Sequence, residues 1–254
     1  MGTISPGLVS ITFRQLTPNE IVRLLEKADV RAVEWGGDVH VPHGDIERAR
    51  EVRDLCSNSG VVTPSYGSYY RLGVSAREGL RFETVLETAS ELGCETVRAW
   101  AGNRSSEAVS AEDRAALVVE ARKCADLARS AGLTISFEYH GGTLTDTNES
   151  ATRFFDEVDH PAVRSYWQPR NGKPVDYSLE GLHQVAPYLS NVHVFHWLTS
   201  QQRFALAEGA GAWARYLQAV GSIPGDRYAM IEFVKGDAPE QFLADAATLK
   251  AWLA

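Results

Sequence analysis

One rhythm runs the length of this chain: a short apolar stretch of strand length, a polar junction, an amphipathic helical stretch, then glycine and the next apolar stretch. The strands read as 8–13, 32–37, 62–67, 96–101, 134–140, 163–169, 192–197 and 228–234. Two architectures use such a rhythm, a closed (β/α)8 barrel and an open doubly wound sheet. Eight units in 254 residues, about 31 residues each, match the usual length of a barrel. The open sheet calls for a phosphate-binding glycine fingerprint after its first strand, and Ser10-Ile11-Thr12-Phe13-Arg14-Gln15-Leu16 contains none. The expected fold is therefore α/β, a (β/α)8 TIM barrel forming a single domain over residues 1–254.

Local signals agree with that spacing. Thr17-Pro18-Asn19-Glu20 forms a capping box with proline at the first helical position. Ser75 to Glu78 and Ser110 to Asp113 read as two more helix starts. Gly60, Gly93, Gly132 and Gly221 mark helix ends, where glycine tolerates left-handed backbone.

Composition narrows the class of function. A formal net charge of −8 is the wrong sign for tracking a phosphate backbone, which argues against nucleic acid as partner. No stretch approaches the length of a membrane span, and Met1 to Phe13 lacks the basic start of a signal peptide. Cys56, Cys94 and Cys124 are odd in number and without ligand spacing, which fits buried thiols and a cytoplasmic location. A barrel of this class is compatible with a homo-oligomer.

Strand parity then sorts the side chains, because neighbours along a strand point to opposite faces. The helices need apolar surface to pack on, so the apolar set is expected outside and the polar set inside. On that rule Val9, Ile11 and Phe13 face the helices, whereas Glu34, Arg98, Trp100, Glu138, His140, Gln168, His193 and Glu232 face the barrel interior. Glu138, Gln168, His193 and Glu232 each sit near the C-terminal end of a different strand, the face on which barrel enzymes build their sites. Two carboxylates, an imidazole and an amide oxygen can hold one divalent cation. The competing account is a buried ion pair, with Arg98 or Arg164 as partner.

Other candidates surround these four. His140 lies just beyond Glu138 and suits substrate contact; His40 and His43 lie in the loop after the second strand, and either touches substrate or is simply solvated. Trp100 can close over a small polyol. Tyr69, Tyr70 and Arg71, between Gly67 and Gly73, read as a loop over the site, and 198–211 as a second lid. Arg203 and Lys235, in mouth loops, can meet an anionic substrate or be ordinary surface charges.

Val33-Glu34-Trp35, Phe137-Glu138-Tyr139-His140, Val192-His193-Val194 and Ile231-Glu232-Phe233, in this order on successive strands, resemble the sugar phosphate isomerase/epimerase superfamily with the xylose-isomerase-like barrel. That superfamily includes keto-sugar 3-epimerases, hydroxypyruvate isomerase, an inosose dehydratase and endonuclease IV-type nucleases. The resemblance implies one divalent ion (Mn²⁺, Mg²⁺ or Zn²⁺) held by Glu138, His193 and Glu232. Substrate contacts would come from Glu34, His40, Trp100, His140, Arg170 and Arg203. The sequence departs at Trp167-Gln168-Pro169-Arg170, where the pattern usually places aspartate. A neutral oxygen from Gln168 leaves two negative charges among the ligands and should weaken binding of hard cations. Sparse ligands and acidic charge argue against the nuclease branch.

The leading expectation is a metal-dependent isomerase or epimerase of a small hydroxy-ketone or hydroxy-aldehyde sugar, with Glu138 and Glu232 moving the proton through an enediolate. A keto-polyol dehydratase would share the first step. A non-catalytic sugar-binding protein with a degenerate metal site is the alternative of a different class.

Overall fold

In the computed structural model, which describes residues 2–199 and 202–254, eight parallel strands close into a barrel. They are β1 (Ile4–Val9), β2 (Val33–Gly36), β3 (Ser65–Arg71), β4 (Thr96–Trp100), β5 (Thr134–Glu138), β6 (Val163–Trp167), β7 (Leu189–Val194) and β8 (Arg227–Ile231). Each pairs with its sequence neighbours, and β8 closes the ring on β1 through Ile4↔Arg227 to Leu8↔Ile231. The outer layer is α1 (Pro18–Ala28), α2 (Ile46–Asn58), α3 (Phe82–Leu92), α4 (Ala111–Ser130), α5 (Asn148–Val158), α6 (Val175–Val185), α7 (Ala210–Ser222) and α8 (Pro239–Leu253). No described helix is long and apolar enough to cross a membrane. Cys56, Cys94 and Cys124 are free and buried.

The main apolar core lies between strands and helices, with Trp35, Phe137, Phe154, Trp213 and Phe242 at most 1% exposed. A second, smaller cluster of Val9, Ile11, Tyr166 and Met230 lies apart from that core. This corrects the expectation that Val9 and Ile11 face the helices. The cause is the first strand, which spans Ile4–Val9 and not 8–13, and gives way to a 3-10 turn over Ser10–Phe13. Pro6 is tolerated there because β2 joins β1 only from Leu8 onward, so the missing N–H faces no ladder on that side. Gly7 is needed on the inner face, since a Cβ would lie 2.3 Å from the Met230 sulfur.

The capping boxes divide. Thr17 and Glu20 form theirs reciprocally, and Ser110 accepts from the Asp113 N–H at 3.0 Å. Ser75 starts no helix: its hydroxyl accepts from Arg71 N at 2.9 Å in a turn, and α3 begins at Phe82. Gly60, Gly93 and Gly132 have φ of 63°, 81° and 74° just past helix ends, whereas Gly221 lies inside α7. The expected loop at Tyr69–Arg71 is instead the end of β3, interrupted by a bulge: the register runs Gly67↔Arg98, then Tyr70↔Ala99. Within the lid expected over 198–211, Trp197–Thr199 pairs with Gln202–Arg203 as a short antiparallel hairpin. Ser200 and Gln201 lie outside the described residues.

Candidate active site

Parity and register bring four side chains from consecutive strands to one point. Glu138 ends β5, Gln168 follows β6, His193 is the penultimate residue of β7 and Glu232 follows β8. Their exposures are 2%, 8%, 0% and 6%. His193 Nδ1 stands 3.5 Å from Glu138 Oε1, 3.6 Å from Glu232 Oε2 and 3.3 Å from Gln168 Oε1. Gln168 Nε2 donates to Glu138 Oε1 at 3.1 Å.

A second layer lies against these residues. Arg98, on β4, donates through Nε to Glu34 Oε1 at 2.7 Å and through Nη1 to Glu138 Oε2. Ser65 donates to the other Glu34 oxygen at 2.7 Å, and Trp100 Nε1 donates to Glu138 Oε2 at 2.6 Å. The guanidinium fits because residue 67 is glycine: a Cβ there would lie 2.8 Å from both Arg98 Nη2 and Glu34 Oε1.

This asymmetry separates the two catalytic candidates. Burial works to raise both carboxyl pKa values. At Glu138 the Arg98 charge overcomes it, with help from His193, and the pKa falls well below the ordinary range. At Glu232 burial prevails over the attraction of His193, the Glu138 charge adds to it, and the pKa is raised. Among the described residues, no donor makes a hydrogen bond to the Glu232 carboxylate, whose near partner is His193. Burial pulls the His193 pKa down, but Glu232 and Glu138 together carry it above its usual value.

Over the cluster opens a cavity of about 250 Å³. Tyr69, Trp100, Trp197 and Phe233 form its aromatic wall, with Arg14 and Arg203 beside them. His140 stacks on Trp100 at 4.6 Å between ring centroids. Tyr69 and Phe233 both hold left-handed backbone, with φ of 55° and 48°, a conformation costly for aromatic residues and concentrated at functional sites.

Of the residues expected to contact substrate, Trp100, His140 and Arg203 line this cavity. Glu34, His40 and Arg170 do not. Glu34 is consumed by Arg98 and Ser65 beneath it. The His40 ring bonds to Ser10 Oγ at 2.8 Å and to the Leu16 carbonyl at 3.2 Å, pinning the loop after β2. Arg170 packs its guanidinium beside Gly141. His43 is half-buried and bonds to Tyr66 Oη at 2.8 Å. Arg14, Trp197 and Phe233 entered the site without being singled out as substrate contacts, and Gly67 was noted only as a loop boundary. Trp197 shares the parity of His193, which is a sequence signal for this wall, whereas Arg14 lies beyond the end of β1, where parity assigns no face.

The donor set suits a divalent cation. Ligand atoms of Glu138, His193 and Glu232 all lie within 4.8 Å of one another, and separations of 3.5 and 3.6 Å are close to the edge, about 3.4 Å, of a tetrahedron with ~2.1 Å bonds. Glu34, Glu138 and Glu232 against Arg98 leave two negative charges when His193 is neutral. Gln168 Oε1 already points at the same place. Among the described residues, His193 Nε2 is buried without a partner, so the cluster around Nδ1 selects its tautomer.

The xylose isomerase-like TIM barrel family matches this chain over residues 22–252. No curated protein matches it by sequence. Among solved structures, it is similar to the probable 3-DHS dehydratase AsbF, involved in petrobactin synthesis, from Bacillus anthracis. That likeness has a TM-score of 0.82 at 18% identity and covers 97% of this chain and 99% of the other. D-psicose 3-epimerase from Clostridium cellulolyticum H10 aligns with a TM-score of 0.71 at 14% identity, over 98% of each chain. A xylose isomerase-like barrel from Mycobacterium smegmatis, solved with magnesium, aligns at 0.75 and 15% identity over 99% and 97%. At these identities the likeness is one of fold.

Proposed function

The chain belongs to the xylose isomerase-like TIM barrel family, and from that premise we propose that it is a divalent-metal-dependent isomerase or epimerase of a small hydroxy-ketone or hydroxy-aldehyde sugar. The observation that carries this reading is the unequal carboxylate pair, Glu138 and Glu232, converging with His193 at the edge of an aromatic-walled cavity. Glu138, His193 and Glu232, with Gln168 as a neutral fourth, would hold the ion. When bound, it supplies polarisation of the substrate carbonyl and lowers the cost of negative charge on the adjacent oxygens.

The residues divide the remaining work. Glu232, with its raised pKa and no competing hydrogen bond, takes the proton from the carbon between carbonyl and hydroxyl, leaving an enediolate. Arg98 and Trp100 hold Glu138 in place and ionised. Trp100 and Trp197 exclude water and pack against the carbon skeleton, and His140 orients a hydroxyl. Returning the proton from Glu232 to the neighbouring carbon, while the hydroxyl proton passes between the two adjacent oxygens, isomerises; return from the Glu138 side to the original carbon epimerises. A two-base epimerisation wants carboxyls of similar pKa, so the asymmetry favours one-base transfer by Glu232.

The test is exchange of the substrate C–H with D₂O across a panel of keto- and aldo-sugars. Glu232→Gln should abolish it, and full exchange in that variant would sink the assignment. A second reading, dehydration of a keto-polyol, is favoured by the fold shared with the Bacillus anthracis dehydratase and by His140 in the cavity as a proton donor to a departing hydroxyl. NMR of the product distinguishes them, since only elimination releases water and forms an alkene or its tautomer.

A further inference from the structure

The mouth of the cavity carries two arginines, and we propose, resting on the reading above, that Arg14 and Arg203 select a substrate with an anionic group, carboxylate or phosphate, at the end away from the Glu138–His193–Glu232 cluster. In a chain of formal charge −8, the lining of this cavity includes three arginines, two glutamates and neither aspartate nor lysine. Arg98 is committed to Glu34 and Glu138. Arg14 and Arg203, with side chains 45% and 21% exposed, stand nearer solvent than any member of the cluster.

Each guanidinium meets an acid and an aromatic face. Asp38 takes Nη1 of Arg14, and Asp237 takes Nη1 of Arg203; neither acid lines the cavity. Arg14 lies 5.8 Å over the Tyr69 ring, with Nη2 3.5 Å from its hydroxyl. Arg203 lies 4.4 Å over Phe233 and 5.7 Å over Trp197. An acid at one nitrogen and a ring against the flat face fix the fork of a guanidinium in advance, which lowers the ordering cost of binding a planar or tetrahedral oxyanion.

The backbone supplies an independent sign. Among the described residues, five non-glycine positions have positive φ. Asp29 and Asp159 are helix C-caps, where this conformation is ordinary. The other three are Tyr69, Phe233 and Asp237, with φ of 55°, 48° and 50°. All three are direct supports of Arg14 or Arg203. Strained backbone outside the helix caps is thus confined to the residues that aim these two arginines.

Three probes of one skeleton test this: glucose, glucuronate and glucose 6-phosphate, with affinities measured by ligand-observed NMR at low salt. At least one anion should bind on the order of tenfold more tightly than glucose, and the advantage should shrink as salt is raised. A preference for glucuronate alone identifies a carboxylate, and for glucose 6-phosphate alone a phosphate. Arg14→Gln with Arg203→Gln should remove the advantage, while Arg14→Lys with Arg203→Lys should keep part of it. Equal binding of all three probes, or an anion preference that survives both glutamine substitutions, overturns the proposal. C–H exchange is scored separately: exchange on neutral sugars without anion preference defeats this proposal alone, and anion preference without exchange on any substrate defeats the isomerase reading alone.

Discussion

Gln168 lies beside Glu138 at the ends of neighbouring strands, its amide nitrogen donating to the carboxylate at 3.1 Å while its amide oxygen points to His193. One side chain therefore satisfies a buried charge and, on the proposed reading, would offer a neutral oxygen to a cation. Gln168→Glu separates them. Without metal, the variant loses the hydrogen bond and adds a third carboxylate, and should be less stable by about 1–3 kcal/mol. With metal, the added charge should tighten Mn²⁺ binding by about tenfold or more. Calorimetric metal titration checks the second effect and urea unfolding in EDTA the first. Unchanged Mn²⁺ affinity would remove Gln168 from the ligand set.

Arg98 is 1% exposed between two buried carboxylates. Arg98→Met strips Glu34 of its counter-ion and leaves Glu138 with His193 alone, and breaking a buried pair from one side costs about 3–5 kcal/mol. Arg98→Met with Glu34→Gln should lose less than Arg98→Met alone, because one stranded charge is removed as well. Urea midpoints of the two variants decide it; a double variant as unstable as the sum of its parts would mean Arg98 acts through packing.

The closed barrel was legible because eight alternations of apolar run and helix leave little else for 254 residues to form. Glu138, His193 and Glu232 were legible because parity survives small errors in strand ends. Strand 1 shows where that tolerance stops. Its face is read from the apolar residues 9, 11 and 13, two of which belong to the Ser10–Phe13 turn, whereas over the actual strand Ile4 and Leu8 face the helices and Val9 the interior. Arg14 and Phe233 were not legible as a substrate wall, since their positions depend on a turn and a positive φ that no periodicity reports. His40 was misjudged for a similar reason: its bond to Ser10 joins two loops distant in sequence.

Gly67 has no unusual φ, and its need is one of space. Gly67→Ala places a methyl 2.8 Å from Arg98 Nη2 and from Glu34 Oε1, and overpacking of this kind costs about 1–3 kcal/mol. In an Arg98→Lys background, which has no Nη2, the same substitution should cost less. Thermal unfolding of the four proteins in a double-mutant cycle gives the coupling; no coupling would show that the two groups do not share the space.

The pH dependence of stability follows from His193 and Glu232. His193 has a folded pKa above the ordinary value near 6.5. A base shifted this way stabilises the fold fully below its unfolded pKa, and that contribution is lost as pH rises through the folded value. Glu232 is an acid with a raised pKa, so its contribution also declines with rising pH, starting from the ordinary carboxyl range. Both groups therefore make the metal-stripped protein weaker toward alkaline pH. A divalent ion requires His193 neutral and Glu232 ionised, so its affinity rises with pH over the same interval. The gap in unfolding temperature between Mn²⁺-loaded and EDTA-treated protein should accordingly widen from about pH 5.5 to 8, and proton release on metal binding should diminish across it. His193→Leu should flatten the gap. A gap that is constant with pH, or that persists in His193→Leu, would place the metal somewhere other than between Glu138 and Glu232.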